Sequence, residues 1–402
     1  MVRALLGRLE STRALLEALD KGQIPFGDLA LDQRQALATH PDRRIAGRAR
    51  AILTRGGGLP DPDRQKVIDR MMDVTKKTGS AEAGHLVFKN NCAKCHRHSG
   101  EGEQIGPDLT GMAVHTKEHL LIDILDPSRN VEGNFRIYRV EMKDGRSISG
   151  LLASETKTSI ELIDSEAKRH QLQRSEIEEL QASNKSLMPE GFEKTLKPED
   201  LTNLLEFLTK RGKYLPIPLD KVASVVSTKG MFFSEDAGVE RLIFRDWSPK
   251  TFEGVPFYLV DPKDGKVPNA VMLFCTLGKY PPTMPKVVKL LCNSPAKAIH
   301  FLSGVSGWGY PYSEKGSVSM IVRLHYADGK MEDHELKNGE QFADYIRRVD
   351  VPGSKFAFAL RGQQIRYFAV APKREAVISE IELVKGPDNT APVVMAVTVE
   401  TK

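Results

Sequence analysis

The chain has 402 residues, 40% of them apolar and 28% charged, with 32 Gly and 23 Pro. That length calls for two or three domains, and the composition excludes collagenous, coiled-coil and wholly disordered chains. The 58 basic and 53 acidic residues leave a formal charge of +5 with no Lys/Arg run of the kind that marks a nucleic-acid footprint, and no window approaches the roughly 18 uninterrupted apolar residues of a membrane-spanning helix.

The opening stretch MVRALLGRLESTRALLEALD threads charges through an apolar stripe, which predicts a helix, and it lacks the apolar block of a secretory signal. Over residues 1–75, helical spacing recurs at Ala14–Leu19 and Ala46–Leu53, separated by Gly22, Pro25 and the His40-Pro41-Asp42 turn, so short antiparallel helices are expected. Gly56-Gly57-Gly58-Leu59-Pro60-Asp61-Pro62 breaks the pattern and predicts a hinge. The segment AEAGHLVFKNNCAKCH then places Ala81, Gly84, Leu86, Val87 and Phe88 on or near one helical face leading into a cysteine pair.

Far downstream a second helix begins with Pro198 in its first turn, sets Leu201, Leu204, Leu205 and Leu208 at i, i+3, i+4 and i+7, and ends at Gly212. These two helices are expected to cross. Between them, over about 131–182, FRIYRVEM, the turn Lys143-Asp144-Gly145-Arg146, SISGLLASE and SIELID alternate apolar and polar residues, which predicts a small inserted antiparallel β-barrel. Residues 213–228 carry two prolines and no clear period, and read as a linker. From 229 to 402, segments such as NAVMLFCTL, KVVKLLCN, KAIHFLSGV, SVSMIVRLHYADGK, FAFALRGQQIRYFAV and VVMAVTVE recur at strand length between Gly, Pro and Asp-Gly breaks. They predict an antiparallel β-sandwich or jelly roll, making the whole a multidomain α+β chain.

The cysteines are Cys92, Cys95, Cys275 and Cys292. Cys92-Ala93-Lys94-Cys95-His96 is the C-x-x-C-H pattern of covalent haem c attachment, each thiol adding to one vinyl group and the imidazole ligating iron in its neutral form. A zinc knuckle would call for another nearby Cys or His pair and a redox dithiol for a βαβ surround. A ligating imidazole gives its other N–H to an oxygen acceptor, and the Pro107 carbonyl of Ile105-Gly106-Pro107-Asp108-Leu109 is the candidate. For the sixth ligand, Met188 in Ser186-Leu187-Met188-Pro189-Glu190-Gly191 is preferred; His98, His115, His119 and His170 are its rivals. Cys275 and Cys292 either pair, if their strands approach within about 7 Å, or stay as two buried thiols.

A helix, C-x-x-C-H, G-P-x-L, M-P-x-G and a closing helix with Phe207 together resemble a class I cytochrome c. More narrowly, residues 1–212 resemble the planctomycete and verrucomicrobial (PVC-type) cytochromes, in which a β insertion separates histidine from methionine and HEAT-like helices precede the haem. That resemblance implies one covalently bound haem c over residues 76–212, a periplasmic or otherwise exported location, and a redox partner protein or dehydrogenase domain. It also leads us to expect a longer exported precursor, since no export signal occurs within residues 1–20. The sugar-dehydrogenase-like propeller that often precedes such haem domains is not in this chain, so dehydrogenase activity is not carried over.

Residues 229–402 resemble galactose-binding-like jelly rolls of carbohydrate-binding modules, through Phe252–Phe257, Ala298–Leu302, Tyr326–Gly329, Leu336–Gly339 and Ala396–Glu400. Glycan is then one partner class, with Trp308, Tyr310 and Tyr312 as stacking contacts. His300, His325 and His334 each sit singly in strand patterns, and no nucleophile–base pair is visible in this region. The expected function is electron transfer, with a haem enzyme of displaceable sixth ligand, peroxidase-like or an oxidoreductase subunit, as the alternative.

Overall fold

The computed structural model describes residues 9–402 apart from 22, 25–28, 30, 39, 41, 56–61, 130, 132–134, 308–314 and 361. The glycine-rich stretch expected as a hinge and the aromatic residues Trp308, Tyr310 and Tyr312 lie outside the described residues. The chain divides into two compact units, one of Met1–Leu109 and Thr116–Leu208, the other of Thr110–His115 and Thr209–Lys402. No described helix is long and apolar enough to cross a membrane.

In the first unit, α1 (Leu9–Asp20), α2 (Leu31–Ala38) and α3 (Arg43–Arg55) pool Leu15, Leu16, Leu19, Leu37, Ile45, Ala49 and Ile52 into one buried cluster. None of these helices is long enough to be stable alone, so the shared core holds them. Helix α4 (Pro62–Met71) follows, then α5 (Ala81–Asn91), α6 (Lys117–Leu125), the single turn α7 (Phe192–Thr195) and α8 (Pro198–Thr209). On α5 the buried positions are Gly84 and Phe88. Leu86, expected near that face, is 58% exposed, because the i, i+4 pair at 84 and 88 sets the buried stripe and position 86 falls across the helix from it.

The insertion is a five-stranded antiparallel ladder of β1 (Arg136–Met142), β2 (Ser147–Glu155), β3 (Ser159–Ile163), β4 (Arg169–Gln173) and β5 (Ile177–Ser186), ordered β4-β3-β2-β1-β5. The β1–β2 hairpin closes through the Asp-Gly turn, with Gly145 at φ +85°. Alternate residues Val140, Met142, Ile160, Leu162 and Leu172 form its apolar face. Among the described residues no pairing joins β4 to β5, so the expected barrel is an open ladder.

The second unit comprises β6 (Tyr214–Ile217), β7 (Lys250–Phe252), β8 (Val255–Phe257), β9 (Val271–Met272), β10 (Val287–Ser306), β11 (Val318–Tyr326), β12 (Met331–Lys337), β13 (Lys355–Leu360), β14 (Gln363–Val370), β15 (Val377–Lys385) and β16 (Ala391–Thr401). Two expected strands, KVVKLLCN and KAIHFLSGV, are one 20-residue strand, β10. Its first half pairs with β15 and its second half with β14 and β16, the change falling just past a register break between Leu291 and Ser294 where Asn293 takes φ +51°. This is how a corner strand passes from one sheet to another. β16 is buried on both faces, which accounts for its unbroken apolar run.

Tyr214–Ile217, inside the stretch expected as a linker, pairs along β16. Its Pro216 is accommodated because β6 is hydrogen-bonded on one side only. NAVMLFCTL contributes only the two-residue β9. Thr110–His115 is built into the same unit: Ala113 and Val114 are in its core, and Asn293 Nδ2 donates to the Val114 carbonyl at 2.8 Å.

Candidate functional site

Helix α5 starts at Ser80, whose hydroxyl accepts from the Ala83 N–H, a capping interaction that satisfies one orphan donor. It crosses α8 at Gly84, where a Cβ would stand 1.9 Å from the Asn203 carbonyl oxygen. Only glycine permits that approach. Phe88 and Phe207 meet there with ring centroids 5.5 Å apart, and Asn203 Oδ1 accepts from the Ser80 N–H at 2.8 Å. The crossing therefore fixes where α5 ends and where the cysteine turn begins.

Cys92 caps the end of α5, and the 92–95 turn is closed by the Cys95 and His96 N–H groups donating to the Cys92 carbonyl at 3.0 and 2.9 Å. The following loop folds back over this turn. Ile105 and Gly106 N–H donate to the Cys95 carbonyl at 3.0 and 2.8 Å, and Leu109 N–H to the Arg97 carbonyl at 2.7 Å. Gly102, at φ +95°, could carry no side chain, since a Cβ would lie 2.2 Å from the His96 carbonyl oxygen.

His96 Nδ1–H donates to the Pro107 carbonyl at 2.8 Å, which leaves Nε2 as the acceptor nitrogen. The ring rests against Gly106, where a Cβ would come within 2.6 Å of Cε1. Burial holds the imidazole below its ordinary pKa against the opposing pull of the Pro107 carbonyl, a direction that favours the neutral form able to ligate.

Cys92, Cys95, His96, Gly106, Pro107 and Met188 all line one open-mouthed, mostly apolar cleft. Its remaining walls come from Phe135, Leu151, Ser165, Leu187 and Phe192. Phe135 precedes β1, Leu151 is on β2 and Ser165 is in the β3–β4 turn, so the insertion supplies one wall. Their alternation announces strands but not which face meets a ligand, and the sequence carries no signal that would have singled them out.

The histidine rivals of Met188 are elsewhere. The His98 ring packs on Phe207 at 4.5 Å, His119 pairs with Asp123 at 3.3 Å, and His170 with Asp164 at 2.7 Å. His115 belongs to the second unit. None of the four lines the cleft.

Burial, with the neighbouring Cys95 charge adding to it, pushes Cys92 up to about 11, and burial also raises Cys95. Those shifts run opposite to the lowered pKa of an exchange-active cysteine. The His/Cys/Asp/Glu cluster suited to a metal ion among the described residues is His325, Glu380 and Glu382, far along the chain from the cysteines. There Lys289 and Arg323 already answer the carboxylates, at 2.8 Å to Glu380 and 3.6 Å to Glu382.

Cys275 and Cys292 are unbonded thiols. They belong to different core clusters, and Cys275 Sγ donates to the Asn389 carbonyl at 3.0 Å; the disulfide considered from sequence is not formed. The strand histidines have partners: His300 Nδ1 lies 2.9 Å from the Tyr367 hydroxyl, His325 is 3.2 Å from Glu382, and His334 bonds Glu332.

The cytochrome c family model matches residues 81–149, from the first residue of α5 into β2. No curated protein sequence matches the chain. A cytochrome c domain implies covalently bound haem c, and Cys92 and Cys95 fall inside the matched span. The residues fit that group: two sulfurs and an imidazole face one apolar cleft, with a glycine where the ring needs space. Haem-based electron transfer follows from the domain.

Proposed function

We propose that this chain is a mono-haem c-type cytochrome of the PVC type, working in the periplasm or another exported compartment, with His96 and Met188 as axial ligands. The haem supplies a one-electron iron couple. Cys92 and Cys95 anchor it by thioether bonds, and the Pro107 carbonyl orients His96 and keeps its Nδ1 protonated. Phe135, Leu151 and Phe192 give the cleft apolar walls. A soft thioether at the sixth position favours the reduced state and sets a higher potential than bis-histidine ligation.

The observation that carries this reading is the shared cleft. Met188 lines it together with both cysteines and His96, whereas each rival histidine is engaged elsewhere. Residues 229–402 are read as a binding module of the carbohydrate-binding kind, docking a redox partner or a glycan.

Met188→Ala tests the ligand. The long-wavelength sulfur-to-iron band of the oxidised protein should vanish and the potential should fall; an unchanged spectrum removes Met188 from the role. Tight azide or carbon monoxide binding by the parent protein would favour the peroxidase-like alternative.

A further inference from the structure

We propose that Arg64, on a helix outside the span matched by the cytochrome c family model, is a positioning residue that holds the Met188 segment against the haem cleft through Glu193; this rests on the reading of Met188 as a ligand. Arg64 Nη1 and Nη2 donate to the two Glu193 carboxylate oxygens at 3.0 Å each. The side chains are 11% and 4% exposed. On its inner edge Arg64 Nε donates at 2.8 Å to the Leu125 carbonyl, and Nη2 bonds the same oxygen. That carbonyl ends α6 and is one of its orphan acceptors, where a cation is favoured. One guanidinium thus joins α4, the end of α6 and the start of α7.

Among the described residues the rest of the segment is held mainly by local bonds, with the Ser186 N–H reaching the Ser128 hydroxyl at 3.3 Å. α7 is a single turn of four residues whose N-cap, Gly191 at φ +100°, offers no side-chain hydrogen bond. A turn of that length has no stability of its own. It nevertheless carries Phe192 into the cleft wall, and Met188 and Pro189, also lining the cleft, lie four and three residues before it. On the other side Met188 is tied by its N–H to the Ser186 hydroxyl at 3.1 Å, and Glu190 makes an exposed pair with Lys185, a kind of contact worth little. The buried fork is the one strong restraint among these contacts. A planar, two-pronged donor also fixes direction, which a lysine cannot do.

The test uses the full-length haem-loaded protein and imidazole as a probe that competes for the sixth iron site. Arg64→Met and Glu193→Gln should each raise apparent imidazole affinity by about tenfold or more and weaken the sulfur-to-iron band, with Arg64→Lys between them and the parent. Leu16→Ala, in the separate core of α1–α3, should lower the melting temperature and leave imidazole affinity unchanged. If Leu16→Ala raises the affinity equally, general softening explains the effect and the proposal fails. Unchanged affinity in both Arg64→Met and Glu193→Gln, with the band lost in Met188→Ala, overturns the positioning role alone. A band that survives Met188→Ala overturns the ligand reading and this proposal together. Should Arg64→Met not take up haem, Glu193→Gln, which keeps shape and loses charge, decides the matter.

Discussion

Replacing Gly84 by alanine sets two known effects against each other, and the structure decides the sign. Helix propensity alone favours alanine by about 1 kcal/mol. The new methyl, however, would stand 1.9 Å from the Asn203 oxygen, 2.5 Å from its carbonyl carbon and 2.8 Å from Phe207 Cβ, where ordinary contact begins near 3.4 Å. Two of these atoms are backbone of α8, so no rotamer change relieves the clash; the helices must part by more than an ångström. Overpacking costs roughly 1–3 kcal/mol where side chains can adjust, and more where they cannot.

Taking about 3 and subtracting the propensity gain leaves about 2 kcal/mol of destabilisation. In a unit of about 200 residues that lowers the melting temperature by roughly 4–8 °C. Gly47→Ala on α3 is the control, because nothing lies within 4 Å of its added methyl, and there the propensity term of up to about 1 kcal/mol should stabilise. Thermal unfolding followed by circular dichroism, with haem absorption recorded alongside, separates the two. If Gly84→Ala melts higher than the parent, the close crossing of α5 and α8 is wrong.

Two further outcomes concern the second unit. Burial would raise the Asp388 carboxyl, but bonds from Lys385, Ser319 and the Thr390 N–H outweigh it and hold the group below the ordinary carboxylate value. Its stabilisation is therefore complete above that value, about pH 4, and is lost as pH falls through the lower folded pKa. Asp388→Asn leaves Lys385 buried without its counter-charge and should cost about 3–5 kcal/mol at neutral pH while flattening the acid limb of melting temperature against pH; an acid limb as steep as the parent's would count against the pair. Cys275 and Cys292 should both take up alkylating reagent after unfolding without reductant, by intact mass, whereas protection of both would show a bond the structure lacks.

What could be read from the chain was chemistry confined to a few adjacent residues. C-x-x-C-H, the Asp-Gly turn at 144–145 and the leucines of α8 each carry their meaning within a dozen positions. What escaped depends on partners remote in sequence. β6 looks like a proline-broken connector until β16 is beside it, and β10 looks like two strands because its bulge interrupts the alternation at Asn293. Ala113 and Val114 fall inside the 76–212 span expected to hold the haem, yet their side chains belong to a core formed by segments from Leu215 onward. The Arg64–Glu193 fork spans 129 positions, and nothing local distinguishes either residue from the charged helix faces around it. Strand pairing and buried ion pairs are properties of the assembled chain, so local pattern underdetermines them.

The wall contributed by Leu151 and Ser165 has a consequence for the energetics of the iron couple. Oxidised haem carries one more positive charge than reduced haem, so a dry, weakly polarisable surround penalises the oxidised form and a wet one relieves it. β2 and the β3–β4 turn line the cleft on that side, so the insertion sets part of that local polarity. Changes to the length or polarity of a surface turn there can move the reduction potential while the thioether anchors, His96 and Met188 remain untouched.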